Sequence, residues 1–407
     1  MGNILLLGSG TQALSIVKNL AKAGYNICMF FEEANYADMS CYVNKRFVSK
    51  ESPQSEKYLE NVERIIAEEC IDVLIPTGDE SAVFLSRNKK QLSTLVKFTI
   101  PDYDIFLKGY DKNKLMTLCK EKGYPHPQTI DLSQIKNLSD EELKSFPYPA
   151  MLKPNRTTGG RGMVRVNNHQ ELLDIYPNLH REYGNYHLQR FIREGGRQVK
   201  IQLCVDVKGG MIANSALQKV RWFPVKAGSS CCCISMEEEK ATGICLQILR
   251  DIHWVGFADF DLIEDPDTKE LLVMEINPRL PACLGAAVHA GLNWGQVIVD
   301  QAMGLTPRNY EYKTGIVLRH LGLDMLWFLK SPQRFISKPS WFHFFGKNVF
   351  YQDMDGCDDM KPFFSGTFHN IKKLFDPSIK KQKISLLIGK KHDNNCSPYG
   401  FQEGIRL

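Results

Sequence analysis

The sequence lacks several features that assign a protein to a common class at once. No stretch approaches the roughly 18 apolar residues of a membrane-spanning helix, and residues 3–8 show neither a cationic leader nor a cleavage site. Lysine and arginine (51) barely outnumber aspartate and glutamate (46), and no long basic run occurs, so nucleic acid is not the expected partner. We therefore expect a cytoplasmic protein without a membrane span.

Common catalytic and metal-binding cysteine patterns are also missing. None of the 12 cysteines forms a CxxC pair, and the one cluster is Cys231-Cys232-Cys233. Neighbouring residues on a strand point to opposite faces, so three consecutive cysteines make a poor metal site. We expect reduced thiols that act as small buried side chains. The chain also has no GK[ST] phosphate loop and no evident Ser-His-Asp or Cys-His arrangement.

What is present indicates a folded protein of two or three domains. The chain has 407 residues, of which 43% are hydrophobic and 24% charged. Residues 1–105 alternate strand and helix patterns, which predicts a doubly wound α/β sheet. Residues 106–310 contain hairpin-like runs with helices, which predicts an α+β region with an antiparallel sheet. Residues 311–407 have weak periodicity and are interpreted as a small C-terminal accessory region.

The first strand ends in a glycine motif. Gly8-Ser9-Gly10-Thr11-Gln12-Ala13 matches GxGxxA between a strand and a helix, and Glu32 and Glu33 follow the second strand. This arrangement suits a dinucleotide phosphate and predicts an NAD(P)-dependent oxidoreductase. The other interpretation is structural, because a sheet of this type needs glycines where its first strand turns.

A stronger pattern lies in the middle region. The strand over 256–263 and the strand leading into Glu275-Ile276-Asn277-Pro278-Arg279 are joined by a turn, so Asp261 can lie opposite Glu275. Glu275 and Asn277 share one face of their strand. Two carboxylates and an amide oxygen are hard ligands of the kind that Mg²⁺ takes when it bridges phosphates. Arg279 follows on the same side and can hold a carboxylate or phosphate. The alternative is an exposed hairpin with two acids.

A second pattern combines a lysine with glycines. Lys153 ends a strand, and a loop containing Gly159, Gly160 and Gly162 follows it. Glycines allow backbone N–H groups to close around phosphate oxygens, and the lysine adds a compact positive charge. The alternative is an ordinary glycine-rich hairpin.

Together these residues resemble the ATP-grasp superfamily of carboxylate–amine ligases, in the branch of carbamoyl-phosphate synthase large-chain domains and biotin carboxylase. The likeness covers residues 1–310. It implies a Rossmann-like N-terminal domain that usually binds no dinucleotide, followed by an ATP-grasp domain of two α+β lobes. Asp111-Lys112, leading to Gly123-Tyr124-Pro125-His126-Pro127, resembles a family segment whose lysine reaches ATP phosphate.

The resemblance also implies roles for further residues. Gln189, Phe191 and Ile192 match the hinge that holds adenine, and Lys219 and Arg221 match a region that faces the acyl-phosphate. Many relatives have glutamate at the position of Gln189 and an acid near Lys200, so the ribose contacts are not predicted. Asp261, Glu275 and Asn277 are the implied metal ligands, and Arg279 is implied to steady the reacting carboxylate.

The implied reaction is ATP-dependent formation of an acyl-phosphate, followed by its transfer to an amine or a similar nucleophile. The implied cofactors are ATP and Mg²⁺, with Mn²⁺ as an alternative metal. The implied partners are a small-molecule carboxylate and amine, and the chain is compatible with a homodimer. Two alternatives stay open: the oxidoreductase, and a nucleotide-binding regulator that keeps the fold without turnover.

Overall fold

A computed structural model describes residues 2–135, 137–156, 162–225, 228–306, 308–354 and 358–375. Gly159 and Gly160 of the predicted phosphate loop lie outside these residues. Within the described part of the chain, no helix is both long and apolar enough to cross a membrane.

The first region is built on a parallel sheet. Its β1 is fully buried from Ile4 to Leu7, as expected for an apolar strand covered on both faces. The strands run in the order β3-β2-β1-β4. The elements are β1 Asn3–Leu7, α1 Thr11–Lys22, β2 Asn26–Phe31, β3 Lys45–Val48, α2 Glu56–Glu68, β4 Val73–Pro76, α3 Asp79–Arg87 and α4 Lys89–Leu92, with a 3₁₀ turn at Ala37–Met39.

A smaller antiparallel sheet follows, in the order β5-β8-β6-β7. It has its own apolar cluster, which includes Leu152, Tyr186 and Leu188. The elements are α5 Tyr103–Tyr110, α6 Lys112–Lys122, β5 Thr129–Asp131, α7 Glu141–Lys144, β6 Ala150–Pro154, β7 Val164–Val166, α8 His169–Tyr183 and β8 Tyr186–Arg190.

The largest sheet has seven strands in the order β13-β12-β9-β10-β11-β14-β15. All neighbours are antiparallel except β14 and β15, which are parallel. The elements are β9 Gln198–Val205, β10 Met211–Phe223, β11 Ser229–Met236, α9 Glu239–Asp251, β12 Gly256–Glu264, β13 Leu271–Asn277, α10 Gly285–His289, α11 Trp294–Met303, β14 Val317–Arg319, α12 Leu321–Lys330, β15 Val349–Tyr351 and α13 Lys361–Phe375.

The C-terminal region is joined to both the large sheet and the first region, although its sequence has weak periodicity. Strands β14 and β15 extend the large sheet beyond β11. The buried Gln352 side chain then reaches the first region and donates from Nε2 to Thr11 Oγ1 over 3.0 Å. Each of these strands is three residues long, too short to give a period-two signal.

Apolar packing joins the parallel sheet to the large sheet. One buried cluster combines Leu5, Phe106, Trp254 and Ile276. Trp254 is fully buried, and its ring stacks on that of Phe106 with centroids 6.0 Å apart. This shared core holds the carboxyl end of β13 against the first region, which positions the site described next.

Candidate functional site

The acidic part of the site is a β-hairpin. In the register of β12 and β13, Asp261 lies opposite Glu275 and Asp259 opposite Asn277, which confirms the predicted pairing of the two strands. Asn277 donates from Nδ2 to Asp259 Oδ2 (3.2 Å) and to Asp261 Oδ2 (3.0 Å). The amide therefore holds the two aspartates side by side on one face of the sheet.

Lys200 on β9 lies between these two aspartates. Its Nζ is 2.7 Å from Asp259 Oδ2 and 3.0 Å from Asp261 Oδ1, and the side chain is almost fully buried. Burial opposes the charged form of this lysine, but the two carboxylates outweigh it and raise its pKa. Burial also works against an ionised Asp261, yet Lys200 and Lys219 hold its pKa well below the usual range. For Asp259 the effect of burial exceeds that of Lys200, so its pKa is raised.

Two more lysines face the hairpin. Lys219 Nζ on β10 is 3.5 Å from Asp261 Oδ1, and Lys112 Nζ is 3.1 Å from Glu275 Oε2. The carboxylates therefore lie on the neighbouring strands β13 and β12, and Lys200 and Lys219 lie on the next two strands, β9 and β10. Lys219, a predicted site residue, lies in this group, and so does Lys200, which the sequence marks only as a departure from the family pattern.

The small sheet contributes Lys153. This side chain is buried, and its Nζ donates to Gln189 Oε1 over 2.6 Å, while Gln189 Nε2 donates to Thr129 Oγ1. Burial lowers the pKa of Lys153 to about 8, although nearby Glu275 acts in the opposite direction. The adjacent His187 is fully buried with Nδ1 2.9 Å from Asn155 Oδ1, and its burial lowers its pKa.

The start of α6 connects the two sheets. The backbone N–H of Lys112 donates to Asn155 O over 3.1 Å, while the Lys112 side chain reaches Glu275 of the large sheet. Asp111 is the N-cap of this helix, where its side chain accepts from Lys114 N, and it also pairs with Arg156 Nε at 2.8 Å. Lys112 is thereby held against Glu275, and Lys153 lies close enough to both for their charges to act on its pKa.

The predicted loop and hinge residues are described in part. Gly162 has a φ of +70°, and its carbonyl accepts from the Tyr186 hydroxyl over 3.0 Å. This contact ties the end of the glycine loop to β8. Phe191 and Ile192, just after β8, are both partly exposed, and the Phe191 ring lies under the Arg165 guanidinium at 4.6 Å.

Arg279 lies where the large sheet meets the first region. Its Nε is 3.0 Å from Asp79 Oδ2 at the start of α3. Burial opposes its charge, but Asp79, Asp259 and Glu275 together raise its pKa. Asp79 was not predicted, and a partner 200 residues away leaves no local signal in the sequence.

Arg221 does not join this group. Its side chain is fully buried and makes two hydrogen bonds to Asp324 on α12, Nε to Oδ1 at 2.7 Å and Nη2 to Oδ2 at 2.9 Å. A register shift in β10 lies between Lys219 and Arg221. The expected role for Arg221 at the acyl-phosphate does not fit this geometry, because the guanidinium would have to leave Asp324. Breaking a buried ion pair of this kind costs about 3–5 kcal/mol.

The donor set is compatible with a magnesium ion that is also bound by phosphates. Among the described residues, no group of three His, Cys, Asp or Glu side chains has the geometry of a metal cage. Asp261 and Glu275 supply paired carboxylate oxygens, and Asn277 supplies an amide. One or two carboxylates completed by phosphate oxygens and water are the usual protein environment of Mg²⁺. The residues fit the metal in that form.

Comparison with known families identifies the region that carries these side chains. Residues 111–288 match the family model described as carbamoyl-phosphate synthase L chain, ATP binding domain. This segment is therefore similar to that ATP-binding domain. It spans the small sheet and the large sheet as far as α10, and therefore includes all four lysines and all three acids of the site.

Two curated proteins that resemble this chain are named as carbamoyl phosphate synthase large chain or a section of it. The large chain from Bifidobacterium adolescentis is 22% identical over 324 residues, which are 75% of this chain and 29% of that protein. The C-terminal section of the large chain from Methanopyrus kandleri is 24% identical over 291 residues, which are 68% of this chain and 53% of that protein. The chain thus spans between about a third and a half of the length of these relatives.

Solved structures show the same fold over about three quarters of this chain. The biotin carboxylase domain of Hydrogenobacter thermophilus 2-oxoglutarate carboxylase, described in complex with MgADP, ADP and bicarbonate, matches with a TM-score of 0.63 and 16% identity over 77% of this chain and 73% of that one. Staphylococcus aureus N5-carboxyaminoimidazole synthetase complexed with ADP matches with a TM-score of 0.60 and 14% identity, over 78% and 81%.

Proposed function

We propose that the protein is an ATP-dependent ligase that activates a substrate carboxylate as an acyl-phosphate and transfers it to an amine or similar nucleophile, releasing ADP and phosphate. The observation that carries the proposal is the position of Lys112 and Lys153 near Glu275, which lies opposite Asp261 in the hairpin. Positive groups for phosphates and hard oxygens for Mg²⁺ converge between the two sheets of an ATP-grasp domain.

The nucleotide contacts in this proposal come from the small sheet and α6. Lys112, Lys153 and the loop with Gly159, Gly160 and Gly162 hold the phosphates. Gln189, Phe191 and Ile192 hold the adenine. Gln189 already orients Lys153 through its Oε1 atom, so a change at Gln189 also affects the phosphate lysine.

Asp261, Glu275 and Asn277 are the proposed magnesium ligands. When bound, Mg²⁺ neutralises charge that develops on the transferred phosphoryl group. The protein's own contribution is to hold the two carboxylates at paired positions of one hairpin, with Asn277 bridging the aspartates. Such positioning needs no nucleophilic side chain.

Lys219 and Arg279 are the proposed residues of the acyl site. Lys219 lies next to Asp261, and Arg279 follows the metal ligands at the end of β13. A guanidinium can hold two oxygens of a carboxylate, whereas an ammonium acts as a point charge. Asp79 fixes the Arg279 side chain from the first region, which we propose to be a Rossmann-like domain that precedes the ATP-grasp domain.

The dinucleotide alternative is disfavoured by what surrounds the GxGxxA turn. Ser9 donates from Oγ to Glu33 O over 2.7 Å, and Gln352 of the C-terminal region donates to Thr11 at the start of α1. The first turn is thus occupied by contacts within the chain. The regulator alternative gives no role to the lysines that pair with these acids. A homodimer also belongs to the proposal, because the Hydrogenobacter thermophilus domain is described as a dimer.

Phosphate release from ATP with Mg²⁺, measured across pools of carboxylates and amines, tests the proposal. Glu275→Gln should lower turnover by more than about tenfold, or about 1.4 kcal/mol, because it removes one charge from the metal set. Glu270→Gln, an exposed position on the same hairpin, is the matched control and should keep wild-type turnover. Equal activity of the wild type and Glu275→Gln would refute the assignment.

A further inference from the structure

The C-terminal region presents an exposed apolar surface. We call it the apolar patch and define it by Met325, Leu329, Phe335, Ile336, Phe342 and Phe345. The exposed fraction is 72% for Phe335, 76% for Ile336 and 88% for Phe345. Other exposed apolar side chains, such as Val207 and Leu305, lie far from this segment in sequence. Single exposed apolar residues need no explanation, but a cluster of large ones indicates an interaction surface.

The apolar patch is held in place by a rigid base. Phe335 and Phe342 stack with centroids 6.3 Å apart, and both rings contact Phe328 at 5.7 Å. Phe328 in turn stacks on the buried Trp341 at 4.0 Å. Beneath them, Asp324 is held by Arg221 and Arg319, and its backbone carbonyl accepts from Trp341 Nε1. These contacts fix the orientation of the patch before any partner binds.

The segment that carries the apolar patch has charges of one sign. From Met325 to Gln352 the sequence contains no aspartate or glutamate, while it contains Lys330, Arg334, Lys338 and Lys347. The three lysines are exposed, and Arg334 lies against the Phe335 ring at 5.9 Å. Large exposed apolar side chains and exposed cations in one segment match the surface of an anionic lipid bilayer, where rings enter the headgroup boundary and lysines contact the negative headgroups.

We infer that the apolar patch docks the protein on an anionic membrane surface. A second copy of the chain fits less well, because a symmetric contact would bring the same four cations against each other. The sequence of residues 376–407 also has more basic residues, six, than acidic residues, three, so its charge does not complement the patch. The inference does not depend on the proposed ligase activity, since none of the patch residues belongs to the site.

Vesicle sedimentation of the full chain tests this inference. The protein should sediment with phosphatidylcholine vesicles that contain about a third phosphatidylglycerol, less so as salt is added, and not with phosphatidylcholine alone. The double variant Phe335→Ser/Ile336→Ser should lower the partition coefficient at least about tenfold, and Lys330→Glu/Lys338→Glu should do the same. Val207→Ser, which removes an 86% exposed apolar side chain elsewhere, should bind as the wild type does.

Thermal unfolding of each variant checks that the fold is kept, which the exposure of these positions leads us to expect. The inference is overturned if the wild type stays in the supernatant with anionic vesicles, or if Val207→Ser loses as much binding as the double variant. It is also overturned if sedimentation velocity shows a dimer that Phe335→Ser/Ile336→Ser dissociates while vesicles bind neither protein. That result would assign the patch to a second copy.

Discussion

At the residue scale, the site is a set of charges that already neutralise one another. Asp259 and Asp261 are paired with Lys200, and Glu275 is paired with Lys112. Isolated carboxylates in this buried position would be costly, so the lysines allow the acids to remain close together without a bound ion. Nucleotide binding in our account exchanges these partners, with Lys112 moving from Glu275 towards phosphate.

The pKa of Lys153 predicts how nucleotide affinity depends on pH. Burial lowers this pKa to about 8, so the ammonium that attracts phosphate is lost as the pH rises through 8. ATP affinity measured by calorimetry should therefore fall above that pH, by up to about tenfold per pH unit. Lys153→Met should bind ATP weakly throughout and show no such fall, whereas a wild-type affinity that stays constant to pH 9.5, roughly 1.5 units higher, would contradict the role of Lys153.

The lowered pKa of Lys153 also affects the free energy of unfolding, which changes with pH in the opposite direction to ATP affinity. Between pH 8 and the ordinary value of 10.5, the unfolded chain holds a proton on Lys153 that the folded chain has released. The contribution of Lys153 to the free energy of unfolding therefore rises with pH in this window. Affinity and stability should thus move in opposite directions as the pH increases.

Asp79 is expected to act through Arg279 as a positioning residue. Asp79→Asn removes the charge 3.0 Å from Arg279 Nε. With the carboxylate that the substrate pools identify, kcat/KM should fall at least about tenfold, while the Kd for ATP stays within about twofold. Glu80→Gln, the exposed neighbour on α3, is the control. Equal losses in ATP affinity and kcat/KM would place Arg279 in the nucleotide site.

At the scale of elements, the sequence predicted most of what carries the site. The hairpin of β12 and β13, the strand ending near Lys153 and the helix starting at Lys112 all have clear apolar periodicity or a cap residue. The apolar run from Val96 to Ile100 predicts a short strand, but the segment contributes an isolated bridge between Lys97 and Val73. Strands β14 and β15 were not predicted from the sequence, because each is stabilised by pairing with a strand that is distant in sequence.

Ion-pair partners that are far apart in sequence could not be predicted either, because only the folded chain brings them together. Asp324 lies 103 residues from Arg221, and Asp79 lies 200 residues before Arg279. The type and spacing of residues indicate which side chains carry chemistry. Which of two basic residues on one strand faces the acids depends on a register shift that the sequence does not display.

The first strand–turn–helix element gives a prediction that separates structure from cofactor binding. Gly8 has a φ of +118°, and a Cβ there would overlap Thr77 Oγ1, whereas Gly10 has an ordinary φ of −71°. Gly8→Ala should therefore lower the free energy of unfolding by about 1–3 kcal/mol. In Gly10→Ala, the new Cβ meets only the flexible end of Gln12, so the loss should be smaller.

Denaturant unfolding measures both glycine variants, and calorimetry measures their affinity for ATP. Neither variant should change that affinity, because ATP is assigned to the middle region. A folded Gly8→Ala protein that no longer binds ATP would show that the first turn takes part in nucleotide binding.

At the scale of the whole molecule, one apolar core joins the parallel sheet to the large sheet, and the small sheet has a core of its own. The proposed nucleotide site lies between the small and the large sheet. Lys112 contacts both, through its backbone to Asn155 and through its side chain to Glu275. We therefore propose that Mg²⁺ and ATP bind at this junction rather than at the GxGxxA turn.

Titration calorimetry with ATP in the presence of Mg²⁺ tests that claim most directly. The wild type should bind ATP, Lys112→Met should bind it at least about tenfold more weakly, and NADH should neither bind nor compete. Lys114→Met, a nearby and exposed position on α6, is the control and should retain wild-type affinity. Binding of NADH without binding of ATP, or an unchanged ATP affinity in Lys112→Met, would contradict the account.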